Sequence, residues 1–189
     1  MLEKVETIKK SKKLVEVLST TKAKYIIGTV LLTGAGIALP RIFHILAGSS
    51  AGTTFLPMHI AVLIAALTFG GLSASIVAGG SVIFSYLLTG MPAINRLPYM
   101  LIELVIYAVL LSLFNKKFNS YVSLIATMVL GRILYAVILF VAVNGLGLPT
   151  YGVSVIQSVR AGIPGLVIQI LFVPFIAKFM NERLNLKND

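Results

Sequence analysis

Few side chains in this sequence can do chemistry in an apolar setting, and their spacing narrows what that chemistry is. Glu103 is the sole acid between residues 17 and 181, Tyr107 follows it by four positions, and Arg132 precedes Tyr135 by three. Side chains three or four apart share a helical face, so the sequence predicts a Glu103–Tyr107 face and an Arg132–Tyr135 face. Charges in hydrocarbon are costly and face a bundle interior, a partner or a watery cavity. Two readings follow. Glu103 and Arg132 pair and tie two helices together, or one or both reach a polar ligand held between helices.

His44 and His59 bracket a segment rich in Gly, Ser and Thr. His59 stands in Phe55-Leu56-Pro57-Met58-His59, where Pro57 suits the first position of a helix; it is either a hydrogen-bonded structural residue or the cap of a pocket. Asn95, Arg96, Asn144, Gln157 and Arg160 fall at the same level, and Gln169 lies deeper, after Gly162-Ile163-Pro164-Gly165. Proline there frees a backbone carbonyl and bends the helix, which is tolerated at membrane depth where it lines a cavity or meets protein. These polar groups collect on one side of the chain's apolar segments and point to a ligand pocket.

Other chemistries are missing. A proton relay needs several acids or histidines strung across a bilayer, and one acid is present. Without cysteine there is no disulfide framework, thiolate nucleophile or Cys-ligated metal. No GxxxxGK[ST] phosphate loop exists for ATP, and neither a Ser/His/acid set nor a GxSxG nucleophile elbow is expected. The expectation is a protein that is not itself an enzyme and holds no cofactor or metal.

The elements that must position these residues are apolar. The 189 residues are 58% hydrophobic and 12% charged, with a mean hydropathy of +0.98, about half the charged share of a soluble domain. The sequence therefore reads as an all-α integral membrane protein. Six segments are expected at approximately 25–46, 57–71, 72–90, 98–115, 120–144 and 155–180. The second and third, separated only by Gly70-Gly71, read as a hairpin of short or tilted helices or as partly re-entrant. They lie between a basic segment at 1–24, amphipathic or simply extended on the membrane surface, and a short tail at 181–189.

Although the net charge is +10, the apolar middle leaves no solvated basic face for phosphates, so nucleic acid is excluded as a partner. The basic residues instead mark topology. With six spans, 12 of the 16 fall on the side that holds both termini, which the positive-inside rule makes cytoplasmic. Arg41, Arg96 and Arg160 lie near the opposite face.

Six strings carry a resemblance: Leu39-Pro40-Arg41-Ile42-Phe43-His44, Phe55-Leu56-Pro57-Met58-His59-Ile60, Leu87-Leu88-Thr89-Gly90-Met91-Pro92, Glu103-Leu104-Val105-Ile106-Tyr107, Gly131-Arg132-Ile133 and Ala161-Gly162-Ile163-Pro164-Gly165. In that order, over about residues 24–178, the chain resembles the S components of energy-coupling factor (ECF) transporters. The resemblance implies a six-helix subunit of a prokaryotic plasma membrane that captures a water-soluble vitamin or vitamin precursor from outside. Such a subunit docks on a transmembrane coupling subunit carrying two cytoplasmic ATPases and topples to deliver its ligand. A cobalamin precursor such as a benzimidazole riboside, pantothenate, a pyrimidine or a deazapurine would suit. By position, the loop with His59 is the implied lid, and Asn95, Arg96, Glu103, Tyr107, Arg132, Tyr135 and Gln169 are the implied pocket. Gly34-x-x-x-Ala38 is the match to the family's small-residue docking pair, with ordinary packing inside the bundle as the other reading. The sequence admits two further classes: a small polytopic membrane enzyme using Glu103 and the histidines, which would want another acid or a nucleophile, and a non-catalytic assembly subunit.

Overall fold

The computed structural model describes residues 21–48, 51–94, 96–145, 147 and 155–185. Among them every regular element is a helix: α1 Thr21–Ala47, α2 Ala51–Phe55, α3 Pro57–Thr68, α4 Gly70–Thr89, α5 Leu97–Phe114, α6 Ser120–Asn144 and α7 Val155–Leu184. Five of the helices hold stretches long and apolar enough to cross a bilayer: Lys22–Ala47, Gly70–Thr89, Leu97–Phe114, Ser120–Val141 and Arg160–Leu184. Large apolar side chains such as Leu31, Leu72, Leu88, Phe140 and Phe175 face outward around the bundle. That surface suits lipid rather than water, and the chain is a multi-pass helical membrane protein.

The expected second span departs from the others. Its helix, α3, has 12 residues, about 18 Å at 1.5 Å per residue, short of a hydrocarbon core of about 30 Å. The cause is local. Proline disfavours helical geometry in the residue before it, and Leu56, ahead of Pro57, adopts φ 48 and ψ 48. This separates the short α2 from α3. At the far end Gly70, with φ 82, starts α4 in a conformation that glycine adopts freely. The boundary between the second and third segments thus falls at Phe69, ahead of the expected 71/72. α3 tolerates its shortness because protein surrounds it: it contacts α1, α4, α5 and α7, and of its twelve residues only Ile60 is not fully buried.

The helices also overrun the expected limits. α1 begins before residue 25 and takes in Lys22 and Lys24, while α7 continues beyond 180 to Leu184. Long basic side chains let helices extend past the apolar region by reaching for the surface. The expected surface segment lies mostly outside the described residues, as do residues 1–20 and 186–189 of the two ends.

One end of the bundle gathers Lys22, Lys24, Lys116, Lys117, Lys178 and Arg183. There the Lys24 Nζ donates to the Leu184 carbonyl at 2.8 Å, and Tyr25 meets Phe69 with ring centroids 5.4 Å apart. The opposite end, formed by the C-terminal ends of α1 and α4, the α2–α3 break and the start of α5, holds the site.

Candidate functional site

The start of α5 presents Arg96, Tyr99 and Glu103 at intervals of three and four, so one helical face carries them in succession. Arg96 is exposed, whereas Tyr99 and Glu103 are buried. On α6 the buried Arg132 donates from Nη1 to Glu103 Oε1, forming an ion pair. Its Nε and Nη2 have no hydrogen-bond partner, and its guanidinium sits 5.9 Å from the centre of the Tyr107 ring, within reach of a cation–π attraction. Gly131 makes room for that ring: a Cβ there would lie 3.2 Å from Tyr107 Cε2.

α3 supplies the third group. His59, only 3% exposed, meets Tyr107 edge-on with centroids 5.4 Å apart. Its Nε2 lies 3.6 Å from Glu103 Oε1, beyond ordinary hydrogen-bond length, and neither ring nitrogen has a hydrogen-bond partner. The break ahead of α3 places the backbone of His59. The Leu56 carbonyl accepts from the His59 backbone N–H at 3.0 Å and from Gln169 Nε2 of α7 at 3.4 Å. Gly165, one turn earlier on α7, comes so close to α2 that a Cβ would stand 2.7 Å from the backbone of Thr54 and Phe55.

Residues of α1, α3, α4, α5 and α6, with the α2–α3 break, enclose a cavity of about 340 Å³. Its apolar wall includes Pro40, Leu56, Met58, Met91, Pro92 and Met100, and its polar groups come from His44, His59, Ser85, Arg96, Tyr99, Glu103 and Tyr135. A mostly apolar cleft with a few placed polar groups is the usual form of a small-molecule site. Among the described residues no group of three metal-ligating side chains is present.

The sequence-derived candidates divide accordingly. His59, Arg96, Glu103 and Tyr135 line the cavity. Arg132 and Tyr107 stand behind Glu103 and His59, and Gln169 braces the α2–α3 break from α7. Asn95 lies outside the described residues. Tyr99 was missed, although its place four residues before Glu103 put it on that face. Ser85 and the cavity methionines carried no signal, because such residues are ordinary in apolar helices.

Gly34 and Ala38 are exposed on α1, and a Cβ added at Gly34 would meet nothing within 4 Å. Among the described residues, packing inside the bundle is therefore not the role of Gly34. That task falls to Gly28, against the Phe69 ring, and Gly36, against Ser81. Gly48-Ser49-Ser50-Ala51-Gly52 does have the GxSxG spacing of a nucleophile elbow, a motif that needs a strand leading into a helix; here it joins α1 to α2, with Ser49 and Ser50 outside the described residues.

No protein-family model, curated protein or solved structure matches this chain.

Proposed function

We propose that this chain is the solute-capturing S component of an ECF-type importer. It crosses a prokaryotic plasma membrane six times, with α2 and α3 together forming the second passage and both termini cytoplasmic. It takes a water-soluble vitamin or vitamin precursor from outside and hands it inward with a transmembrane coupling subunit and two ATPases. The observation that carries this reading is the cavity itself: buried polar groups from α3, α4, α5 and α6 converge at the end of the bundle poor in lysine. The positive-inside rule assigns that end to the outside. The lysine-rich end opposite has the charge expected of a cytoplasmic face, where the ATPases work.

The test begins with the full chain purified in detergent. Co-purifying small molecules are extracted and identified by mass spectrometry, and candidate vitamins are titrated by calorimetry. Binding without ATP, and uptake by cells only when the coupling subunit and ATPases are present, is the expected result. Folded protein that binds no such solute, together with hydrolase activity in intact cells, would replace this reading with that of a membrane enzyme.

A further inference from the structure

We infer that the cavity selects a flat nitrogen heterocycle which offers an N–H donor to Glu103 beside an acceptor or second donor for His59, and that it rejects ligands whose inner end is a carboxylate. The inference rests on the solute-capture reading and narrows its substrate class.

Glu103 is in the cavity wall, whereas Arg132 is not. The guanidinium is already engaged by Glu103 Oε1 from behind. An anionic group that passes the exposed Arg96 and reaches the inner wall thus faces the carboxylate, while the guanidinium paired with it is not part of the lining. Like charges brought together away from water repel strongly. A ligand N–H pointing at the same carboxylate instead makes a charge-assisted hydrogen bond, roughly twice as strong as a neutral one.

His59 supplies the second half of the edge. It lines the cavity and is 3% exposed; its Nδ1 has no hydrogen-bond partner, and its Nε2 has only Glu103 Oε1 at 3.6 Å, beyond ordinary hydrogen-bond length. Buried polar atoms in folded proteins nearly always have a partner, so an imidazole in this state points to one that arrives with a ligand. An imidazole ring always carries at least one N–H donor, and its second nitrogen can also engage a ligand. A heterocycle carrying an N–H near a ring nitrogen or carbonyl therefore satisfies Glu103 and His59 together.

Two aromatic side chains stand in the wall. Tyr99 and Tyr135 are buried in one cluster with Leu139, and both tyrosines line the cavity. Aromatic faces stack favourably on flat ligands. Arg96, exposed at the rim, leaves a polar tail of the ligand a place near water.

The experiment uses the full chain in detergent and calorimetric titration with matched probes. 1-Methylcytosine is compared with 1,N4,N4-trimethylcytosine and benzimidazole with 1-methylbenzimidazole, because in each pair methylation removes every remaining N–H and keeps the ring. Pantothenate and nicotinate serve as carboxylate probes. At least one heterocycle that keeps an N–H should bind, with at least tenfold weaker binding of its methylated twin and of both carboxylates. Glu103→Gln, which turns one acceptor oxygen into a donor, should weaken the heterocycle at least tenfold in protein that stays monodisperse. If that variant does not fold, the methylated pairs on the unaltered chain decide alone. Tighter binding of a carboxylate, equal binding of a methylated twin, or a co-purifying solute without an N–H edge overturns the inference and leaves solute capture standing. Silence from every probe with nothing co-purifying removes both.

Discussion

The two ends of the bundle are held together by different physics. At the lysine-rich end the contacts are helix ends and backbone groups. Lys24 reaches the Leu184 carbonyl, the Asn119 side chain accepts from the Val122 N–H at 2.9 Å, and Ser120 donates to Asn115 Oδ1 at 3.1 Å. The charges there lie at the surface; Lys22, Lys116, Lys117, Lys178 and Arg183 are all exposed. At the cavity end Glu103, Arg132 and His59 are buried against one another. A solvated charge can set topology at almost no energetic cost, whereas a buried one holds its place only through its partners. The first kind of end is robust to substitution, and the second is specific and fragile.

The largest test of that contrast is Arg132→Ala. It leaves Glu103 buried without its cation, and breaking a buried pair from one side costs about 3–5 kcal/mol. Melting of the purified protein should fall steeply. Replacing both partners with apolar residues, Arg132→Met with Glu103→Leu, should recover most of that stability while abolishing ligand binding. A double variant that binds normally would reduce the pair to a tie between α5 and α6. Next in size is Gly165→Ala, whose new Cβ would stand 2.7 Å from the α2 backbone. Overpacking of this kind costs about 1–3 kcal/mol, and displacement of the α2–α3 break should weaken ligand binding along with it. Lys24→Ala, at the other end, removes one side-chain hydrogen bond to a carbonyl. Its melting temperature should move little, by about 0.5–1.5 kcal/mol of stability, with ligand affinity unchanged.

How much of this was legible in the sequence follows the same division. The apolar helices declared themselves by length and composition, and the lysines by their clustering. The Glu103–Arg132 contact was one of two readings available, since spacing within a helix says nothing about which helices become neighbours. The length of α3 was harder to see. Leu56-Pro57 and Gly70 mark its ends in the sequence, yet a short helix survives only if protein encloses it, and enclosure is a tertiary fact. Gln169 shows the same gap: its depth was readable, but its hydrogen bond to the Leu56 carbonyl joins residues 113 apart. Ser85 had no signal, because a serine in an apolar helix usually bonds to its own backbone.

The smallest expected effect on the fold comes from α1, where two kinds of glycine alternate. Gly28 and Gly36 admit neighbours that any side chain would strike, so leucine at either should disrupt the bundle. Gly34 has open space around it, and Gly34→Leu should leave melting unchanged or slightly raised, because glycine within a helix costs about 0.5–1 kcal/mol relative to alanine. Ligand affinity should also be unaltered, since Gly34 does not line the cavity. Small residues on a lipid-facing helix allow another helix to approach closely, and leucine would hold it off. If the outer face of α1 receives the coupling subunit, uptake by cells should fall with Gly34→Leu while binding by the purified chain persists. Normal uptake would leave Gly34 facing only lipid, and a loss of binding would mean that the face of α1 turned away from the bundle still governs the cavity.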